Sequence, residues 1–241
     1  PEGKIPNSAQ YCIDELQRRG HLVSIATGRI QVDAMRFAEQ ARITNVVADG
    51  GHSITIDGNL VSMIGMNREM CIQYLEYLES KHIPWAVTDR NKLGRITPYK
   101  EILEWHPDWD VFKTVVDPEF DFHSVADFYK IYVFFKDGEE EEKDIEHMTH
   151  KLIRYGEGCV LYEPMEKALG IRNMIGHFDM KPNQVVVFGD GYNDLSMFRP
   201  EWLNIAMGNA RPELKLEADY VTTDCDKDGI YNACKHFGWI D

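Results

Sequence analysis

Positive charge is in short supply: 26 Lys and Arg stand against 40 Asp and Glu, a formal net charge of −14. A chain this acidic is a poor partner for nucleic acid or for an anionic membrane. Any anionic substrate must meet local positive charge placed against that background. Cysteine is scarce and scattered. Cys12, Cys71, Cys159, Cys225 and Cys234 are odd in number and form no Cys-x-x-Cys, so they read as free thiols of a reducing cytoplasm. Long apolar runs are missing, and none approaches the ~18 residues of a membrane-spanning helix. No signal peptide is visible, and the chain begins at Pro1 rather than Met. Internal repeats are absent, and the one biased stretch, Glu139 to Glu142, suits a solvated helix start. One absence is architectural. The first helical pattern is preceded only by Pro1 to Pro6, whereas a crossover helix normally arrives from a parallel strand.

What is present is enough for a core: 241 residues, 44% of them hydrophobic, one large domain or two small ones. Ala9, Cys12, Ile13 and Leu16 lie at helical spacing, with Asn7 or Ser8 as cap and Gly20 as stop. His21 to Ala26 reads as a strand and Thr27-Gly28-Arg29 as the turn into a second helix carrying Ala34, Phe37, Ala38 and Ala41. Val46 to Ala48 is a further strand. Asp49-Gly50-Gly51 turns it into a hairpin, Ser53 to Ile56 and Leu60 to Met63, about Asp57-Gly58. Helix, strand, helix, strand is doubly wound α/β logic.

The pattern changes over residues 64–157. A helix is expected over Asn67 to Lys81, strands at Trp85 to Thr88 and Phe128 to Phe135, and a helix placing Ile145, Met148, Leu152 and Ile153 on one face before Gly156. This reads as an inserted α+β domain. The α/β pattern resumes at Cys159 to Tyr162 and runs to the end. The domains expected are therefore 1–63 with 158–241 as the α/β core, and 64–157 as the insert.

The stretch Gln184 to Asp194 is the richest in chemistry. Val185 to Phe188 has the length of a strand buried on both faces. Gly189 and Gly191 bracket Asp190, Asn193 and Asp194 follow, and Leu195, Met197 and Phe198 open a helical pattern. Two carboxylates and an amide in a glycine loop suit a hard cation such as Mg²⁺, and strand carboxyl ends are where open α/β sheets bind ligands. The same residues also make ordinary turns and helix caps. Thr27-Gly28 before a helix is equally a phosphate cradle or a plain cap. Lys167 is equally a phosphate-neutralising lysine or a surface one. His147 and His150 read as solvated histidines. Asp224, Asp226 and Asp228 imitate the start of a calcium loop, but its twelfth position is Lys235 rather than Glu, and Asp228 reads as a helix cap.

The ordered combination is more specific than its parts. Ser24 to Arg29, Lys167 to Ile171, Gly189 to Asp194 with Met197, Ala206 to Ala210, and Ala218 to Thr222 with Asp228 to Ile230 together resemble the haloacid dehalogenase-like (HAD) superfamily. More narrowly they resemble its Cof-type phosphatases. The resemblance spans nearly the whole chain and implies a Rossmann-like core with an α+β cap that closes to exclude water. It implies a Mg²⁺-dependent phosphatase of small phosphorylated metabolites, working through an aspartyl-phosphate. Thr27 and Gly28 would bind the phosphoryl oxygens and Asn193 the phosphate. Lys167 would offset charge, and Asp190 and Asp194 would serve the metal. Arg29 and Arg95 are lesser candidates for substrate contacts. In one respect the chain departs from the pattern: no Asp-x-Asp ends a first strand. The family's nucleophile is thus expected upstream of Pro1, and the 241 residues alone are expected to be inactive. The alternatives are a noncatalytic phosphate- or Mg²⁺-binding relative, or a phosphomutase on the same core.

Overall fold

A computed structural model of the chain describes residues 4–108, 111–136, 139, 144–145 and 152–241. In chain order the elements begin with α1 (Asn7–Arg18), β1 (Ser24–Ala26), α2 (Gln31–Gln40), β2 (Asn45–Ala48), β3 (Ser53–Ile56) and β4 (Asn59–Met63). There follow α3 (Arg68–Ser80), β5 (Trp85–Thr88), β6 (Gly94–Thr97), α4 (Ile102–Trp105), β7 (Lys113–Val116), β8 (Lys130–Phe134), β9 (Leu152–Gly156) and β10 (Cys159–Tyr162). The chain closes with α5 (Lys167–His177), β11 (Val186–Gly189), β12 (Leu203–Ala206), α6 (Pro212–Leu216), β13 (Tyr220–Val221) and α7 (Gly229–His236). Two compact units result: Pro1–Ser62 with Glu166–Asp241, and Met63–Met165.

The first unit is an α/β core built on two sheets, ordered β1-β2-β3-β4 and β11-β12-β13. The β1–β2 pair is parallel, with Ile25 opposite Val46, and so are the pairs β11–β12 and β12–β13. Alternation along β2 explains why helices cover both faces. Val47 joins Ile171, Met174 and Ile175 of α5 in one apolar cluster, while Val46 and Ala48 join Ala34 and Ala38 of α2 in another. Each fully buried aliphatic side chain of this kind stabilises the unit by roughly 1.5–3 kcal/mol. The expected hairpin is present: Asp57 and Gly58 both take positive φ (48° and 78°), the two-residue turn whose twist matches the strands.

Strands β1 and β11 are each at the edge of their sheet. A cavity of about 350 Å³ lies between them, lined among others by Ser24, Ala26, Val186 and Phe188, with Cys12 from α1 and Ile171 from α5. Val187 is buried, but Val186 is 37% exposed. The expectation that Val185 to Phe188 is buried on both faces therefore holds only in part, because among the described residues no strand pairs with β11 on the cavity side.

The second unit is a six-stranded sheet ordered β7-β6-β5-β8-β10-β9, antiparallel except for β6 with β7. Cys71, Leu75 and Leu78 of α3 pack with Val87, Ile131 and Val133 on one face. Ala86, Tyr132, Phe134 and Leu161 pack with Ile102 on the other. Two expectations are corrected here. Leu152 to Gly156 is a strand, not the end of a helix. Cys159 to Tyr162 pairs antiparallel with both β8 and β9 instead of resuming the core. The cause is a turn at Glu157-Gly158. Gly158 has φ 63°, and a Cβ there would stand 2.4 Å from the Phe135 carbonyl oxygen, so only glycine lets the chain fold back at that point. The core therefore resumes at Glu166 rather than at residue 158. His147, Met148 and His150 lie outside the described residues.

Candidate active site

Thr27, Gly28, Lys167, Asp190, Asn193 and Asp194 all lie in the first unit. Gly189 ends β11 because the following loop folds back on it: a Cβ at that position would lie 2.8 Å from the Asp194 Cβ and 3.0 Å from the Phe198 ring. The expected helix after Asp190 is a single 3₁₀ turn, Tyr192–Ser196, in a segment that Pro200 prevents from continuing as a helix. The turn brings Asp194 under its own loop. Asp194 Oδ2 accepts the backbone N–H groups of Asp190 and Gly191, both at 2.9 Å, and Oδ1 accepts Lys167 Nζ at 2.6 Å.

Lys167 and Asp194 are 3% and 7% exposed. A buried ion pair repays desolvation only when its remaining hydrogen-bonding capacity is met, and the two backbone donors on Asp194 do that. Ser196 ties the same turn to α5: its Oγ accepts the Lys167 backbone N–H at 3.3 Å and donates to the Asn193 carbonyl at 2.8 Å. By contrast, the Asp190 side chain is exposed. Its Oδ2 lies 3.4 Å from Asn209 Nδ2, and Asn209 Oδ1 accepts the Cys225 N–H at 2.8 Å.

Backbone contacts bring the end of β1 to this network. The Gly50 N–H donates to the Thr27 carbonyl at 3.1 Å, and the Gly50 carbonyl accepts the Glu166 N–H at 2.7 Å. Lys167, next along, reaches Asp194 just past β11. The carboxyl ends of β1, β2 and β11 thus share one rim with the start of α5. Close approach here depends on glycine. At Gly51, φ is +111° and a Cβ would sit 2.2 Å from the Glu166 carbonyl oxygen.

Of the candidates named from sequence, Lys167, Asp190 and Asp194 form one connected network, and Thr27 and Gly28 stand on the same rim. Asn193 belongs to the loop through its carbonyl. Thr27 does not cap α2. Its Oγ1 accepts the Arg29 N–H at 3.2 Å, and the helix starts only at Gln31, capped by Asp49, whose Oδ2 accepts the Gln31 N–H at 3.0 Å and the Ser53 hydroxyl at 2.7 Å. Arg29 is held by Asp33 at 2.7 Å and lies over the Phe37 ring at 4.2 Å. Arg95, in the second unit, is 1% exposed and donates to Thr114 Oγ1 and the His106 carbonyl. Asp228 stands at the N-cap of α7 in a left-handed conformation, without a side-chain cap bond. Sequence reasoning gave no role to the Asp49 and Asn209 side chains; the signal for Asp49 was a turn-forming residue directly after the buried strand β2, and for Asn209 its place in the stretch Ala206 to Ala210.

Among the described residues, no group of three or more His, Cys, Asp or Glu side chains is arranged to hold a metal. Mg²⁺ does not require one. It is usually held by one or two carboxylates, with substrate phosphate and water completing the shell. The exposed Asp190 in its glycine loop, supported by Asp194, fits that donor set.

A profile of the haloacid dehalogenase-like hydrolases matches residues 1–234. The chain belongs to that family. YkrA of Bacillus subtilis, which carries a phosphatase name, is 30% identical over 98% of this chain and 92% of its own length. A Streptococcus pyogenes serotype M6 protein named for phosphatase and peptidyl-prolyl cis-trans isomerase activities is 26% identical over 99% of this chain. The chain spans only about half (51%) of that relative. Among solved structures, the HAD subclass IIB sugar phosphatase BT4131 superposes with a TM-score of 0.77 at 26% identity, covering 98% of this chain and 93% of its own. These likenesses agree with the Cof-type branch. They make the chain a HAD-like hydrolase of the phosphoric monoester class, with the α/β core and cap-domain fold of that group.

Proposed function

We propose that this HAD-like hydrolase is the core and cap of a Mg²⁺-dependent phosphatase acting on small phosphorylated metabolites, with its nucleophilic aspartate supplied from upstream of Pro1. The observation that carries this reading is the network Lys167–Asp194–Asp190 on the rim it shares with Thr27. A carboxylate attacking a phosphate dianion brings anion to anion, so positive charge must be in place beforehand. In a chain of net charge −14, Lys167 and a cation at Asp190 supply it together, because Asp194 already offsets part of the lysine's charge. Thr27 and the Gly28 N–H hold phosphoryl oxygens, and Asn193 orients the phosphate. Asp190 holds the metal, and Asp194 fixes the metal loop and Lys167 in one geometry. Mg²⁺, when bound, supplies a charge clamp on the phosphoryl oxygens.

In the first half-reaction the aspartate oxygen bonds to phosphorus and the substrate's ester oxygen leaves, taking a proton. In the second, water cleaves the acyl phosphate, releasing inorganic phosphate and restoring the carboxylate. The slot between β1 and β11 is where a strand could deliver that carboxylate to the rim. The test uses protein carrying its natural upstream segment. Asp190→Asn should abolish Mg²⁺-dependent release of phosphate from an aryl phosphate while leaving the fold intact, and unchanged turnover would remove Asp190 from the metal site. Residues 1–241 alone should release none.

A further inference from the structure

We infer that Asn209 is a positioning residue that makes the metal carboxylate selective for Mg²⁺ over Ca²⁺: its amide occupies one oxygen of Asp190, so that a cation meets the other oxygen alone. The inference rests on the proposed role of Asp190 and deepens it by naming what sets the choice of ion.

The orientation of the Asn209 amide follows from its neighbours. On one side stands the Cys225 backbone N–H, 2.8 Å from Asn209 Oδ1. A backbone N–H only donates, so the amide oxygen must face it. On the other side Asp190 Oδ2 lies 3.4 Å from Asn209 Nδ2, and a carboxylate only accepts. Turning the amide over would set oxygen against oxygen and N–H against N–H. The NH₂ group is therefore aimed at Asp190.

The turn that carries Asn209 is itself fixed on two sides. Gly208 N–H donates to the Thr223 carbonyl at 2.9 Å, and Lys215 Nζ donates to the Gly208 carbonyl. Met207 N–H donates to the Gly189 carbonyl at 3.0 Å and Arg211 N–H to the Asp190 carbonyl at 3.1 Å. One short turn after β12 thus grips the backbone of the metal loop and one side-chain oxygen of Asp190. Among the described residues, no hydrogen bond engages the other oxygen, Oδ1, and the side chain is exposed.

Denticity separates the two cations. Ca²⁺ takes roughly six to eight oxygens in a flexible shell and accepts both oxygens of one carboxylate. Mg²⁺ is smaller and demands a near-ideal octahedron, which the narrow bite of a single carboxylate does not fit. A carboxylate with one oxygen already holding an N–H donor offers one oxygen only. That suits Mg²⁺ and costs Ca²⁺ a ligand.

The test titrates protein carrying its natural upstream segment with magnesium chloride and with calcium chloride by calorimetry. The readout is the ratio of the Ca²⁺ to the Mg²⁺ dissociation constant. Asn209→Ala removes the donor at an exposed position, and circular dichroism should show the fold unchanged. The ratio should fall about fivefold, less than the roughly tenfold of a short hydrogen bond to a charged group, because this one is long and exposed. Asn209→Asp separates donor from anchor. Its oxygen still accepts the Cys225 N–H, but it has no N–H for Asp190, so its ratio should fall as in Asn209→Ala.

An unchanged ratio in Asn209→Ala would overturn the inference. So would the parent's ratio in Asn209→Asp, because Asn209 would then serve only to tie two loops together. Asp190→Asn tells this failure from failure of the proposed function. Unchanged Mg²⁺ affinity in Asp190→Asn would sink the metal assignment and the inference with it. Weakened Mg²⁺ binding in Asp190→Asn, with the parent's ratio kept in Asn209→Ala, would sink the inference alone.

Discussion

Removing the Asp194 carboxylate should unfold the site from within. Asp194→Ala deletes the acceptor of two backbone N–H groups and leaves the Lys167 ammonium buried without its counter-ion. Removing one partner of a buried pair costs about 3–5 kcal/mol, and the Asp194 and Lys167 side chains are 10% and 4% exposed, so little solvent screening reduces that figure. Lys167→Met should cost less, about 1–3 kcal/mol, because the carboxylate keeps its bonds from Asp190 and Gly191. The double variant should be more stable than the sum of the two losses predicts, by at least about 1 kcal/mol, since neither charge is then stranded. Native-state hydrogen exchange of the α5 amides is the suitable assay, because it reads the opening of the first unit alone. Loss of less than about 1 kcal/mol in Asp194→Ala, or strict additivity in the cycle, would refute the claim that this pair holds the rim together.

Two other perturbations are equally direct. Gly51→Ala places a methyl group 2.2 Å from the Glu166 carbonyl oxygen at φ +111°, so it should destabilise the first unit by about 2–4 kcal/mol; a thermal midpoint within 2 °C of the parent would count against that close approach. In the second unit, burial and then the nearby Arg95 charge push His106 below its usual 6.5. The unfolded chain then takes up the proton first, so stability is fully present above pH ~6.5 and falls as the pH drops toward the folded value. His106→Gln should flatten urea midpoints between pH 7 and 5, and an unchanged slope would assign the dependence to another group.

Local turn chemistry was what the sequence disclosed best. Asp57-Gly58 marked the hairpin of β3 and β4, because such a turn acts within a few residues. Failures came where a partner far along the chain decides. Leu152 and Ile153 fit a helical face together with Ile145 and Met148, yet they form a strand because β10 lies beside them. The apolar run Cys159 to Tyr162 announces a buried strand but says nothing about which sheet receives it. In the site, Lys167 and Asp194 were legible as candidates, while their contact was not: 27 positions separate them, and α5 has to pack on β2 before they meet.

The expected strand before α1 was legible for the opposite reason. Patterning along the first 30 residues required a strand before α1, and the family resemblance required a carboxylate on one. Neither argument located it. Among the described residues β1 and β11 are each at the edge of a sheet and flank one apolar cavity, beside the rim where Thr27, Lys167 and Asp190 stand. Charge then gives that position its meaning. Asp194 already occupies Lys167, so a second carboxylate delivered to the same rim would meet repulsion unless a cation accompanied it. Asp190, exposed and bound only weakly by Asn209 at 3.4 Å, is the one carboxylate of this loop left open to hold that cation. Mg²⁺ binding to the chain should therefore be weakened at least tenfold by Asp190→Asn. Equal Mg²⁺ affinity of the parent and Asp190→Asn chains, measured by calorimetry, would remove Asp190 from the metal site.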